Sequence, residues 1–176
     1  MLLNLYTNNA AYVSWNGIQS KNFPVRNGVR QGGIISPVLF CIYIDGLLCM
    51  LCESGVGCYI GRAFVGALAY ADDIALLAPT PSAMRRLLRI CDEYGQKFSV
   101  MFNAAKSAWL LVSKSKQPFK CVPEFYIGNQ CIDLASEYVH LGHIVSASLD
   151  DKHEILSKRN SFVWEDKQCA VLFLET

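Results

Sequence analysis

The stretch Ala69-Tyr70-Ala71-Asp72-Asp73-Ile74-Ala75-Leu76-Leu77 sets two adjacent carboxylates between apolar runs. Acids in such surroundings must be paired or bound to a cation, so two of them side by side point to a divalent metal site. Phe64 to Tyr70 and Ile74 to Ala78 both read as short strands, which places the acids at a hairpin tip. Neighbouring side chains of a regular strand point to opposite faces, so only a tight turn brings both carboxylates to one metal cluster. An Asp-Asp dipeptide by itself is also an ordinary solvated turn. The decision therefore rests on the flanking sequence.

Upstream, Asn27-Gly28-Val29-Arg30-Gln31-Gly32-Gly33-Ile34-Ile35-Ser36-Pro37 leads into a helical pattern. Ser36 can cap this helix, Pro37 suits its first position, and Leu39, Phe40, Tyr43, Ile44, Leu47, Leu48 and Leu51 recur at helical spacing. The stripe is expected to pack on the sheet that carries the acids, leaving Gln31 to Gly33 near them. Further upstream, Asn16-Gly17 between strand-like residues predicts a hairpin over Tyr12 to Ser20. Downstream, a second helix starts at Thr80-Pro81, carries Met84, Leu87, Leu88 and Cys91 on one face, and is expected to stop near Gly95. Strands are expected at Ser99 to Phe102 and Ala108 to Ser113, a hairpin at Phe125 to Ile132, and a last strand at Tyr138 to Val145. Helices interspersed with hairpins, without regular strand-helix-strand units, make the class α+β, with helices on one face of an antiparallel sheet.

A chain of 176 residues with 52% apolar content has enough material for one domain with a substantial core. A formal net charge of +1 neither supports nor excludes a polynucleotide partner. Local basic groups stand at Arg26 and Arg30, at Arg85, Arg86 and Arg89, and at Lys114, Lys116 and Lys120. The second of these groups reads as a solvated helix face. The eight cysteines read as reduced thiols, and Cys49-x-x-Cys52, lacking a second pair at zinc-ribbon spacing, reads as core cysteine. His140 and His143, three apart in a strand-like run, are expected on opposite faces, unable to share a metal. Pro37 and Asp45 interrupt the apolar stretch from Ile34 to Cys52, which argues against a membrane span. The protein is expected inside the cell, in cytoplasm or nucleus.

Four segments carry a resemblance: Asn27 to Pro37, Tyr70-Ala71-Asp72-Asp73, Phe102-Asn103-Ala104-Ala105-Lys106-Ser107, and Tyr138-Val139-His140-Leu141-Gly142-His143-Ile144-Val145. In this order they are similar to the later motifs of reverse transcriptases of non-LTR (LINE-type) retrotransposons. The likeness covers about residues 1 to 160. It implies a partial polymerase palm with a residual fingers edge over 1–149, and a polar tail, truncated or frameshifted, over 150–176. It implies an RNA-directed DNA polymerase, a nucleotidyltransferase, which works with two Mg2+ ions, an RNA template, a DNA primer and deoxynucleoside triphosphates. Asp72 then matches the acid that binds metal directly and Asp73 its supporting neighbour. Tyr70 and Ala71 complete the YADD pattern and, with Arg30, Gln31, Gly32 and Gly33, lie by the nucleotide and template. Lys106 matches a lysine that assists the departing pyrophosphate. Leu141 and Gly142 fall in the segment resembling the primer grip, although Gly142 equally reads as a bulge.

The resemblance also implies a third carboxylate from an earlier motif, and these 176 residues contain no such segment: Asp45 follows the Gln-Gly-Gly motif instead of preceding it. The chain by itself is therefore expected to be catalytically incomplete. The alternatives are an inactive relic, a nucleic-acid-binding fragment, or a small metal-dependent phosphohydrolase, for which no convincing set of further acids or histidines is present. The residues from Val163 depart from the pattern and are expected to pack poorly.

Overall fold

The structure, a computed structural model, describes residues 9–25, 28, 32–112, 122–147 and 169–175. Arg26, Arg30, Gln31, Lys114, Lys116 and Lys120 lie outside the described residues. The chain divides into two compact units, Met1–Phe40 and Cys41–Thr176.

The first unit is strand and turn. Strands β1 (Ala10–Ala11) and β4 (Phe23–Pro24) pair antiparallel, as do β2 (Ser14–Trp15) and β3 (Ile18–Gln19). Asn16 and Gly17 take φ of 48° and 79° between β2 and β3. Both are left-handed, as a two-residue turn matched to strand twist requires, and this is where the Asn-Gly pair placed it.

Helix α1 (Ser36–Glu53) starts in the first unit and runs on in the second. Ile44, Leu47 and Leu51 of the expected stripe are buried. The contacts of α1 within the second unit run to helix α2 (Pro81–Phe98) rather than to the sheet. The Tyr94 hydroxyl donates to the Tyr43 carbonyl, the Tyr43 hydroxyl donates to the Phe98 carbonyl, and the Tyr43 and Phe98 rings meet edge-on at 6.2 Å. With a mean hydropathy of 1.6 over 18 residues, α1 is long and apolar enough to cross a membrane by length and composition. Cys41, Cys49 and Cys52 are exposed on it, so the reading of Cys49-x-x-Cys52 as core was wrong. The buried phase of the helix is set by Ile44, Leu47 and Leu51, and the cysteines fall outside it. Only Cys91, of the six described free cysteines, is buried. Burial, reinforced by the neighbouring Asp92 charge, pushes its thiol far up, leaving it protonated and inert.

The Thr80 side chain caps α2 by accepting the Ala83 N–H at 3.2 Å, and Pro81 opens its first turn. The helix passes Gly95 and ends at Phe98, where Ser99 turns left-handed (φ 56°). Gly95 has another purpose: a Cβ there would lie 2.6 Å from the Val100 carbonyl oxygen, where the chain folds back and the Val100 N–H bonds the Gly95 carbonyl at 3.0 Å. That fold-back uses backbone groups a strand would need, so Ser99 to Phe102 is not the expected strand.

The remaining strands are β5 (Tyr59–Ile60), β6 (Ala63–Phe64), β7 (Ala67–Tyr70), β8 (Asp73–Ala78), β9 (Ala108–Val112), β10 (Phe125–Ile127), β11 (Gln130–Leu134), β12 (Glu137–His140), β13 (His143–Ser146) and β14 (Cys169–Glu175). The expected strand from Phe64 is divided between β6, which pairs with β5, and β7, which pairs with β8. Six strands form one sheet in the order β10-β11-β9-β14-β8-β7. It is antiparallel except for β11 with β9, so the class is α+β with one parallel pair. Helix α2 packs on β8 and β10. Its face of the sheet carries a buried row across three strands, Leu76, Leu172 and Trp109, and Trp109 meets Phe125 edge-on at 4.9 Å.

Of the tail expected to pack poorly from Val163, residues 163–168 lie outside the described residues; for β14 the expectation fails, since Ala170 to Glu175 pair with β8 and Cys169 to Phe173 with β9, which inserts the strand between them. Cys169 to Glu175 is a continuous apolar run closed by one acid, the pattern of a central strand.

Candidate active site

The β7–β8 ladder pairs Tyr70 with Asp73, leaving Ala71 and Asp72 as a two-residue turn. Asp72 therefore stands exposed at the tip, and Asp73, half-buried, is the first residue of β8. Both acids are at the strand-to-strand turn, where the sequence put them. Ala71 takes φ 52°, a conformation that costs a residue with a Cβ about 1–2 kcal/mol, so the turn holds some strain. Asp72 makes a polar interaction within the chain. Along β8, Asp73, Ala75 and Leu77 alternate with Ile74, Leu76 and Ala78, which share the face covered by α2. The Asp73 face is the other one: there Tyr138 and Val145 of the β12–β13 hairpin pack against Ala75 and Leu110.

The sheet register brings Lys106 to the same end. Ala75 and Ala108 share one partner in β14, Phe173, so β8 and β9 lie level at these residues. Asp73 opens β8, and Lys106 stands two residues before β9 begins, in the turn that leads into it, so both belong to the same end of the sheet. The turn that delivers Lys106 is tied at Asn103, whose carbonyl accepts from the Lys106 N–H at 3.1 Å, the Ser107 N–H at 3.0 Å and the Ser107 hydroxyl at 2.8 Å. Lys106 is exposed, and its carbonyl accepts from the Tyr138 hydroxyl at 3.4 Å. A cavity of about 710 Å³ opens beside it, lined by Asp92, Gln96, Asn103, Asn129 and Gln130 among others. Asp92 holds one wall, accepting the Gly128 N–H at 2.8 Å on each carboxylate oxygen. Asp72 and Asp73 do not line this cavity.

Of the upstream motif, Gly32 has a left-handed φ of 78° and is exposed, and Gly33 is half-buried. Leu141 and Gly142 form another two-residue turn (φ 51° and 77°), so Tyr138 to Val145 is a hairpin rather than one strand. His140 and His143 are direct ladder partners across it, which overturns the expectation that they diverge. Residue-by-residue reading also missed β14, whose Glu175 is the ladder partner of Asp73. The available signal was the apolar run after a polar stretch.

Chemically, two carboxylates on a half-exposed turn are hard oxygen donors of the kind a divalent cation takes, so the donor set fits such an ion. Among the described residues, no three His, Cys, Asp or Glu side chains gather where one ion could be held. The pair would thus rely on ligands from water or substrate to fill a coordination shell.

Residues 2–154 match the model of a family described as reverse transcriptase (RNA-dependent DNA polymerase). The chain is 30% identical over 146 residues to the Retrovirus-related Pol polyprotein from type-2 retrotransposable element R2DM of Drosophila melanogaster, covering 79% of this chain and 14% of that protein. It is likewise 30% identical over 140 residues to a Pol polyprotein from type-1 retrotransposable element R2 of Popillia japonica, covering 75% of this chain and 19% of that protein. Similarity to the RNA-directed DNA polymerase from mobile element jockey of Drosophila funebris is 26% over 156 residues, or 85% of this chain and 16% of that protein. The chain thus spans less than a fifth of each of these relatives.

Proposed function

Because this chain belongs to the reverse transcriptase family and has non-LTR retrotransposon polyproteins as relatives, we propose that it supplies the Asp72–Asp73 part of a polymerase site that adds deoxynucleotides to a DNA primer on an RNA template. The family works with divalent metal ions, a nucleic-acid template and nucleotide substrates. In this reading the ions are two Mg2+, which when bound neutralise charge on the transferring phosphoryl group and hold the attacking and leaving oxygens in line.

The chain's residues have distinct parts. Asp72, at the tip of the turn, offers its carboxylate to metal, and Asp73 supports it from the first position of β8. Ala71, with no side chain beyond Cβ, leaves room for the primer end beside Tyr70. Lys106 places an ammonium near the departing pyrophosphate, as proton donor or counter-charge. Arg30, Gln31, Gly32 and Gly33 serve the template base and incoming nucleotide, and the Leu141–Gly142 turn supports the primer backbone. The reading places the protein in cytoplasm or nucleus. The observation that carries it is the acid turn at the same sheet end as Lys106.

The test is primer extension on an RNA template by a longer polypeptide that adds an upstream aspartate motif and template-binding segments to these residues. Extension that Asp72→Ala abolishes and Lys106→Ala slows is the expected result. Extension indifferent to Asp72→Ala would sink the proposal.

A further inference from the structure

The β12–β13 hairpin carries two histidines that the proposed function does not use. In a single strand, residues three apart face opposite ways. Here the Leu141–Gly142 turn lies between them and makes His140 and His143 ladder partners. Directly opposite residues of an antiparallel pair project from the same face with Cβ atoms about 4.5–5.5 Å apart. Both left-handed turn residues fix this register, so the backbone sets the two histidines side by side on one face of the hairpin.

By alternation, the next pair on the same face is Tyr138 with Val145, and these pack on Ala75 and Leu110 of the large sheet. One end of the hairpin is thus anchored. At the tip, His140 is half-buried and His143 exposed, which leaves one side of the pair open to water.

We propose that His140 and His143 form a two-imidazole site for a borderline divalent transition-metal cation, with water completing its shell. Imidazole nitrogens suit Zn2+, Ni2+ and Cu2+ at about 2.0–2.1 Å for zinc, whereas Mg2+ takes oxygen donors. The site is therefore chemically separate from Asp72 and Asp73 and does not depend on their proposed role. A bound ion would bridge the two strands at the end of the hairpin opposite its anchored pair.

The test titrates the full chain, its exposed thiols first blocked by alkylation, with CuCl2, NiCl2, ZnCl2 and MgCl2, following Cu2+ coordination by electron paramagnetic resonance and hydrogen exchange at residues 138–146. Expected is one Cu2+ per chain with hyperfine structure from two imidazole nitrogens, tighter than Ni2+ and Zn2+, with slowed exchange confined to the hairpin. His140→Ala and His143→Ala should each weaken binding at least about tenfold, while His153→Ala and Asp72→Ala leave it unchanged. Because His143 is exposed, its replacement should not disturb folding, and an unchanged melting curve checks this. Full binding in His143→Ala, a single-nitrogen spectrum, or equal competition by Mg2+ would each overturn the proposal.

Discussion

Replacing Leu172 by Ala should be among the most damaging single changes in this chain. Leu172 is fully buried in the row formed with Leu76 and Trp109, beneath α2. Removing three carbons at about 0.8 kcal/mol each sets a loss of about 2.4 kcal/mol from transfer alone. The flanking strands are hydrogen-bonded on both sides and cannot collapse freely, so a residual cavity should raise the total to about 3–4 kcal/mol. For a chain of this size that corresponds to a fall of roughly 10 °C in melting temperature. Urea unfolding measures the energy, and hydrogen exchange locates it, with accelerated exchange expected first in Asp73–Ala78 and Ala108–Val112. A loss below about 1 kcal/mol with unchanged protection of β8 and β9 would show that residues 169–175 do not lie between them.

Three further outcomes are expected. Gly95→Ala should destabilise by about 2 kcal/mol, because the added Cβ meets the Val100 carbonyl oxygen at 2.6 Å. Helix propensity alone gives the opposite sign, a gain of about 1 kcal/mol, so thermal melting decides between the two. Ala71→Gly should stabilise by about 1 kcal/mol by relieving the left-handed turn, and a measured loss would mean that the turn is not strained as described. Mn2+ used as a probe should bind the chain weakly without nucleotide, and Asp72→Ala should remove that binding; tight binding surviving the substitution would place the ion elsewhere.

The acid turn was legible because two apolar strand-like runs flank two charges, and the helices because Ser36-Pro37 and Thr80-Pro81 carry local start signals. Asn16-Gly17 announced its hairpin for the same reason: turn chemistry is written in adjacent residues. Leu141-Gly142 makes an equivalent turn without Asn or Asp, and its hairpin was read as one strand, which also misplaced His140 relative to His143. The end of α2 was misjudged because Gly95 answers to a backbone that returns over it, a tertiary demand invisible to helix-stop rules. Cys49 and Cys52 were misplaced because an apolar helix does not state which of its faces is inward. Strand β14 was missed because its partners are far away in sequence, and no local pattern names a distant partner.

The position of β14 also sets an order of events during synthesis. Strands β8 and β9 leave the ribosome early, but the residues that join them follow about 100 and 60 positions later, so the central sheet has no complete form until then. In that interval α2 can form and the acid turn can close on local contacts, while the inner edges of β8 and β9 stay unmated. These edges are apolar and template strand addition, making the nascent chain prone to aggregation until β14 arrives. Chaperone dependence and refolding yield should therefore respond to changes in residues 169–175 more sharply than to changes of equal energy in α2.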